Sequence, residues 1–290
     1  MYFNQLQIIT SFFLLWIITQ SGSDLEDTIG LCLTLTFGIL HGANDLNLIQ
    51  KKINLTKRNI TILIFYLSVI VFSFFIALQL PIISFLTFII ISSFHFGEQH
   101  LSKMVKVKSN FVWLVYVFYG LLIFSLIFKS HSEFVVEILT ASIGFYDWRL
   151  IIQIIFLCSI IGTTLIWAIF QKIGWIEINL FKELIIVFVL TIIFLNTTLL
   201  FSFAIYFIIW HAIPSIKDQI IYLEGKISTK GFIQYLKSSF IFWIISFAGA
   251  LIILEKTKII LQERPMIFLA LIFSFTLPHI FIISLISKNN

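Results

Sequence analysis

Four histidines occupy matching positions in four long apolar stretches of the sequence. Each lies about 13 residues into its stretch, which at roughly 1.5 Å of helix rise per residue is about 20 Å along the axis. The histidines and their stretches are His41 in 28–50, His95 in 81–101, His211 in 198–218 and His279 in 266–286. If the chain crosses a membrane ten times, these four stretches all cross it in the same direction. We therefore expect the four imidazoles to lie at one depth.

A histidine inside a membrane is costly and usually faces the interior of the helix bundle with a partner. For any one of the four, a hydrogen bond to a neighbouring helix would be explanation enough. Independent packing roles give no reason for a shared depth, however, and convergent neutral imidazoles suit Fe, Zn, Cu or Ni. The pattern contains neither thiolate ligands nor a carboxylate pair, which favours redox iron over hydrolytic zinc.

Polar residues beside His41 support a site there. Asp45 follows His41 by four positions, so the two side chains would share one face of a continuous helix. Metal-bound histidines usually donate their second ring N–H to a carboxylate or carbonyl. We therefore expect Asp45 to support a histidine of an adjacent helix, with Asn44 as a further polar contact. The alternative is that Asp45 marks the interfacial end of the span.

Glycines and prolines near the histidines predict local irregularities. Gly42 and Gly97 lie one or two positions after a histidine and would let helices approach closely. Pro214 and Pro278 would kink their helices and free carbonyls near the site, or would only shape the bundle.

The composition requires a membrane. The chain has 290 residues, of which 60% are hydrophobic and 11% charged, with a mean hydropathy of +1.07, against about 45–50% apolar and about 25% charged residues in soluble domains. Continuous apolar runs such as 60–78 indicate helices rather than the alternating strands of a barrel. We predict an all-α polytopic transmembrane bundle forming one integral membrane domain over 1–290.

We expect about ten spans. Nine remain possible, because only residues 196–198 separate the seventh from the eighth, and 130–150 should lie at the interface. A cleaved leader ending near 21–23 is an alternative for the first. The predicted spans are 5–21, 28–50, 60–79, 81–101, 111–129, 151–171, 181–196, 198–218, 238–254 and 266–286.

Loop charges predict the orientation. The loops 51–58, 102–108 and 217–237 are basic and fall on one side, whereas 21–28 is acidic. Cytoplasmic loops carry excess Lys and Arg, so both termini should be cytoplasmic. We expect the membrane to be the inner (plasma) membrane. The net charge of +5 is too small and too scattered to suggest nucleic acid.

Two further histidines lie outside the common plane. His100 follows His95 by five positions, about 140° around the helix, so both could bind one metal only if the helix were distorted. We expect His131, in the interfacial segment, to be exposed to solvent.

The motifs around these histidines resemble those of the Brp/Blh family, the membrane-bound β-carotene 15,15'-dioxygenases. They occur in the family's order and cover most of the chain. Each motif is short, and it is the ordered set of motifs that makes the resemblance specific. The matching pieces are LHGANDLNLI (40–49), FHFGEQH (94–100), WHAIPSI (210–216) and LPHIFII (277–283).

The resemblance implies a non-haem Fe(2+) held by histidines, which binds O₂ and cleaves β-carotene at its central double bond to give all-trans-retinal. By this resemblance, His41, His95 and His211 match three of the family's iron ligands. The family's next histidine is replaced by Ser215, which would then neighbour the metal, and a family Asp is replaced by His100. We take His279 as the fourth ligand, with His100 in reserve.

The implied partners are a lipid-soluble carotenoid, O₂ and the bilayer, with a possible functional link to a rhodopsin. Three alternatives stay open. The two replacements allow a different carotenoid substrate. A transporter or proton relay would string titratable groups along the membrane normal, whereas these lie in one plane. A b-type haem would need two histidines facing each other across a porphyrin.

Overall fold

The computed structural model describes residues 2–20, 22–53, 60–107, 109–256 and 265–287, and within them the regular structure is helical. A 3₁₀ turn occupies Ser102–Met104 and a π-helical segment occupies Tyr206–Ala212. The α-helices are α1 Tyr2–Ile18, α2 Ser23–Gly42, α3 Asp45–Lys52, α4 Ile60–Gln79, α5 Pro81–Leu101, α6 Trp113–Ser130, α7 Ser132–Ile143, α8 Trp148–Lys172, α9 Leu180–Leu195, α10 Leu199–Ile205, α11 Ile213–Glu224, α12 Thr229–Lys256 and α13 Pro265–Ser287.

The predicted all-α membrane class is confirmed. In the described part of the chain, eight helical stretches are long and apolar enough to cross a bilayer. They match eight of the ten expected spans. The other two expected spans, 5–21 and 181–196, form the shorter helices α1 and α9.

The separation of the seventh from the eighth span is confirmed at residues 196–198. Helix α9 ends at Leu195, and the Thr198 side chain accepts a hydrogen bond from the Phe201 N–H at the start of α10. A threonine hydroxyl satisfies an otherwise unpaired N–H in this way. The polar joint is therefore a helix end followed by a new helix start.

The chain forms two compact units. The first unit comprises Met1–Leu33 and Ile89–His211, and the second comprises Thr34–Phe88 and Ala212–Asn290. The description of 1–290 as one membrane domain stays a prediction.

In the first unit, α6 is the central helix and packs against α7, α8, α9 and α10. Its contact with α5 depends on two glycines. A Cβ on Gly97 would overlap the backbone of Tyr116, and a Cβ on Gly120 would overlap the backbone of Ser93. The contact is reciprocal, because each helix has a glycine that lies against the backbone of the other helix. On each helix, the glycine and the residue contacted by the other helix's glycine are four positions apart. Such small residues let membrane helices approach to backbone distance.

The two ends of the first unit are held by different polar contacts. At one end, Lys106 N–H donates to the Trp175 carbonyl at 2.9 Å, beside an isolated antiparallel bridge of Val105 with Ile176. The Lys106 ammonium lies 2.7 Å from the Glu177 carboxylate and, by hydrogen bonding and attraction, lowers the pKa of Glu177. These contacts join the loop after α5 to the loop after α8.

At the other end, His131 joins the end of α6 to the joint before α10. Its Nδ1 lies 2.8 Å from the Ile127 carbonyl and its Nε2 lies 2.7 Å from the Thr197 carbonyl. The expectation of a solvent-exposed His131 is therefore wrong. The imidazole is half-buried, and both of its nitrogens lie beside carbonyls. Within the segment 130–150, helix α7 packs on α6 and α8.

In the second unit, α13 packs along α4 and against α3, and α11 packs on α3 and α12. An apolar cluster of Leu48, Ile282 and Ile286 forms the contact between α3 and α13, with Tyr66 of α4 packed against it. The Lys51 ammonium donates to the Tyr222 and Leu223 carbonyls at 2.7 Å. Because the last carbonyls of a helix lack intrahelical donors, this lysine joins α3 to the end of α11.

Candidate metal centre

Two predicted ligands meet in the second unit. His41 lies in the last turn of α2, and His279 lies on α13 directly after Pro278. Both imidazoles are buried, with ring centroids 4.2 Å apart and ring planes at 61°. Helix α13 continues through Pro278. The structure thus joins the histidine of the first motif to that of the last.

Asp45 contacts this pair. Its Oδ1 accepts a 2.7 Å hydrogen bond from Nδ1 of His279, and its Oδ2 accepts a 2.9 Å bond from the Tyr66 hydroxyl. The expected contact of Asp45 with a histidine of another helix is present. Only 1% of its surface is exposed, so Asp45 is buried among these side chains.

The helix carrying His41 and Asp45 is not continuous. The expected span 28–50 breaks at residues 43–44, and Asp45 is the first residue of α3. The two residues therefore do not share one helical face. The break turns the Asp45 carboxylate toward α13 and α4, a direction that depends on tertiary packing.

Asn44 lies at the break and bonds to α12 and to Asn47. None of the hydrogen bonds described for its side chain goes to a histidine. Its Nδ2 donates to the Tyr235 carbonyl at 3.0 Å, and its Oδ1 accepts from Ser238 and Asn47, each at 2.7 Å. Tyr235 and Ser238 belong to α12. The amide thereby connects the break to α12.

Ser215 is buried in the second unit and hydrogen bonds to Gln219. Gln219 Nε2 lies 3.3 Å from the Ser215 hydroxyl and donates to the His41 carbonyl at 3.1 Å. The Tyr235 hydroxyl donates to Gln219 Oε1 at 3.0 Å. Because α2 ends at Gly42, its last carbonyls need donors from outside the helix. Gln219 provides one and so holds the backbone at His41.

The other two predicted ligands meet in the first unit. His95 of α5 and His211 of the π-helical segment are both buried, with ring centroids 4.7 Å apart and planes at 73°. The Phe96 ring centroid lies 4.3 Å from that of His211. On the helix of His211, Phe207 stacks on the imidazole at 5.7 Å, and Phe203 stacks on Phe207 at 5.5 Å. The imidazoles therefore sit in an aromatic, apolar environment.

The π-helical segment around His211 ends two residues before Pro214. In a π-helix, a backbone carbonyl accepts a hydrogen bond from the N–H five positions later. For Ile209 that position is Pro214, and proline has no N–H. Gln7 of α1 donates instead, from Nε2 to the Ile209 carbonyl at 2.8 Å. Trp210 Nε1 also donates to Ser11 of α1 at 3.1 Å. The Ile209 carbonyl is thus bonded to α1.

Of the two glycines beside the histidines, only Gly97 is required for close helix packing. An added Cβ on Gly42 would lie 3.6 Å from Asp45 Oδ2 and 3.8 Å from His279 Nδ1, which are ordinary contact distances. The expectation for Gly42 is therefore wrong, whereas that for Gly97 is confirmed.

His100 is paired with an acid in the first unit. Its Nε2 lies 2.8 Å from Oε2 of Glu183, a carboxylate with 1% of its side chain exposed. The imidazole also stacks on Tyr119, with centroids 4.8 Å apart. Tyr119 in turn stacks on Trp167. The reserve ligand therefore already has a strong partner.

Four residues that organise these sites lie outside the motifs that the sequence indicates. Gln7, Gln219 and Glu183 are polar side chains within apolar helices, and this signal alone marks a residue as functional or paired. Tyr66 carries no comparable signal, because tyrosine is an ordinary membrane residue. Its contact with Asp45 follows from the packing of α4 on α13.

The donor chemistry of the two pairs fits a histidine-bound metal. Two imidazoles bound at adjacent positions of one ion, with metal–nitrogen distances of about 2.1 Å, have centroids roughly 4.5–5.5 Å apart. The observed separations of 4.2 Å and 4.7 Å are close to this range. In the neutral form of His279, a proton on Nδ1 would place the ring's lone pair on Nε2.

The chain also matches a known protein family. A family model described as beta-carotene 15,15'-dioxygenase matches residues 32–287, which include all four histidines of the two pairs. No curated protein and no solved structure matches the chain.

Proposed function

Because this chain belongs to the beta-carotene 15,15'-dioxygenase family, we propose that it cleaves β-carotene at the central 15,15' double bond. In this reaction the C15–C15' double bond breaks and each carbon gains one oxygen atom of O₂, so β-carotene and O₂ give two molecules of all-trans-retinal. The observation that carries the proposal is the family match over most of the chain, which contains the histidine motifs in full.

The cofactor in this proposal is one Fe(2+), bound by His41, His95, His211 and His279. Neutral imidazoles without thiolates suit iron among the transition metals. Bound ferrous iron supplies the redox chemistry that activates O₂. Support comes from the burial of all four side chains and from the close spacing within each pair.

In this proposal, His279 replaces the histidine ligand that the family has at the position of Ser215. Ser215 offers only a hydroxyl, which lies 3.3 Å from Gln219. His279 has the features of a ligand, since Asp45 holds a proton on its Nδ1 and the lone pair of the neutral ring is then on Nε2. His100 remains the reserve, with Glu183 as its present partner.

The protein's other contributions are orientation and exclusion of water. A carotenoid dissolves in lipid, and the helices that carry the histidines are apolar enough to span a bilayer. The rings of Phe96, Phe207 and Phe203 beside His211 provide apolar surface suited to a polyene. We further propose an inner-membrane location with both termini cytoplasmic, and a supply of retinal to a rhodopsin.

Expression in bacteria that accumulate β-carotene tests the function. We expect loss of the orange colour and appearance of retinal in extracts, at a ratio of two retinal per β-carotene consumed. A His211→Ala variant at equal expression is the control and should leave the β-carotene intact.

Three outcomes would contradict this proposal. Well-expressed, iron-containing protein that forms no retinal would refute the substrate assignment. Aldehydes longer or shorter than retinal would show cleavage at another bond, and turnover of another supplied carotenoid alone would favour that substrate instead.

A further inference from the structure

Tyr66 completes a three-residue chain of hydrogen bonds that ends at His279. The Tyr66 hydroxyl donates to Asp45 Oδ2 at 2.9 Å, and His279 Nδ1 donates to Asp45 Oδ1 at 2.7 Å. Each oxygen of the carboxylate therefore receives its own donor. The three side chains come from α4, α3 and α13, so the chain links three helices of the second unit.

The surroundings of this chain strengthen its hydrogen bonds. Tyr66 packs against Leu48, Ile282 and Ile286, which are buried and apolar. Asp45 and His279 are themselves buried. In a setting of low dielectric constant, hydrogen bonds to a carboxylate are electrostatically stronger and each bond polarises the next.

Two donors on one carboxylate have two effects. Rotation about the last bond of an Asp side chain is soft, and a donor on each oxygen defines the plane of the group. The two donors also share the negative charge. A hydroxyl on Oδ2 therefore reduces the pull that Oδ1 exerts on the proton of His279 Nδ1.

We infer that Tyr66 is a positioning residue for His279. Through Asp45 it orients the imidazole and limits the electron density at Nε2, and so it adjusts how strongly this nitrogen donates to a metal. The inference rests on the proposed function in one respect, namely that His279 is a ligand.

The test compares three variants of the full-length protein. Tyr66→Phe removes the hydroxyl and keeps the ring, Asp45→Asn removes the charge, and Tyr222→Phe removes a hydroxyl from a tyrosine packed against the same apolar cluster. Two readouts are used, namely ¹⁵N and ¹H NMR of the His279 imidazole in metal-free protein, and the Fe(III)/Fe(II) midpoint potential after loading.

We expect Tyr66→Phe to move the Nδ1 proton resonance downfield, because the bond to Asp45 becomes stronger. The midpoint potential should fall, because a more basic imidazole favours Fe(III). Asp45→Asn should move both readouts in the opposite direction, and Tyr222→Phe should leave both unchanged. A merely structural role for Tyr66 would not produce opposite shifts.

The outcomes separate this inference from the proposed function. An unchanged Nδ1 resonance in Tyr66→Phe, or a shift equal to that of Tyr222→Phe, would overturn the inference even in a protein that makes retinal. A protein that shows the expected Nδ1 shift but binds no iron would overturn the proposed function and the role of Tyr66 toward a metal.

Discussion

Gln7 on α1 donates a 2.8 Å hydrogen bond to the backbone carbonyl of Ile209, two residues before His211. The donor that a π-helical ladder would supply at that point is missing because residue 214 is proline. A side chain far away in sequence thus satisfies a carbonyl next to a proposed ligand, and it connects α1 to the segment that carries His211.

Gln7→Leu should therefore destabilise the protein. The substitution leaves the Ile209 carbonyl buried without this donor, at a cost of about 1–3 kcal/mol. Thermal unfolding in detergent measures the loss. Gln5→Leu is the matched control, because Gln5 lies on the same helix with an exposed side chain. Equal stability of the two variants would show that the bond to Ile209 contributes nothing.

Gly97→Ala should be among the most damaging small substitutions in the chain. The added methyl would overlap the backbone of Tyr116, so α5 and α6 must separate. We expect a loss of about 1–3 kcal/mol or more, with lower expression and a lower unfolding temperature. Gly249→Ala on α12 meets no atom within 4 Å and should be neutral or slightly stabilising. An unharmed Gly97→Ala protein would contradict the helix contact described above.

Iron binding should distinguish the two candidates for the fourth ligand. His279→Ala should lower the iron content of purified protein by more than about tenfold, because even the partner residues of a ligand affect metal affinity by about 10–100-fold. His100→Ala should retain iron, since its Nε2 is bonded to Glu183. Metal analysis at equal protein concentration gives the answer. The reverse pattern would make His100 the ligand.

The His100–Glu183 pair should instead contribute to stability. His100→Leu leaves the carboxylate of Glu183 buried without its partner, which costs about 1–3 kcal/mol or more. Adding Glu183→Leu removes the carboxylate and should restore part of the lost stability. A double-mutant cycle on unfolding temperature measures the coupling. Strictly additive effects would show that the two side chains are not coupled.

The orientation is testable by labelling single cysteines from outside intact cells. In a background with Cys32→Ser and Cys158→Ser, Glu133→Cys should react with a membrane-impermeant maleimide. Lys226→Cys should react only after permeabilisation, because its basic loop is predicted to be cytoplasmic. Both positions are exposed. The opposite labelling pattern would invert the proposed topology.

The sequence by itself determined the all-helical membrane class of this protein and indicated which histidines to expect close together. Long apolar runs can satisfy their backbone in a membrane only as helices, so the spans follow from composition. His41 and His279, like His95 and His211, are neighbours within their units. Their common depth stays a prediction.

Only the tertiary structure decided how these histidines are held. The break at residues 43–44 separates Asp45 from the face of His41, and Asp45 then bonds to His279 and Tyr66. Gln7 and Gln219 complete backbone hydrogen bonds of helices distant in sequence. Such contacts depend on which helices are adjacent and at which rotation. A periodic apolar pattern does not encode these choices, because nearly every face of these helices is apolar.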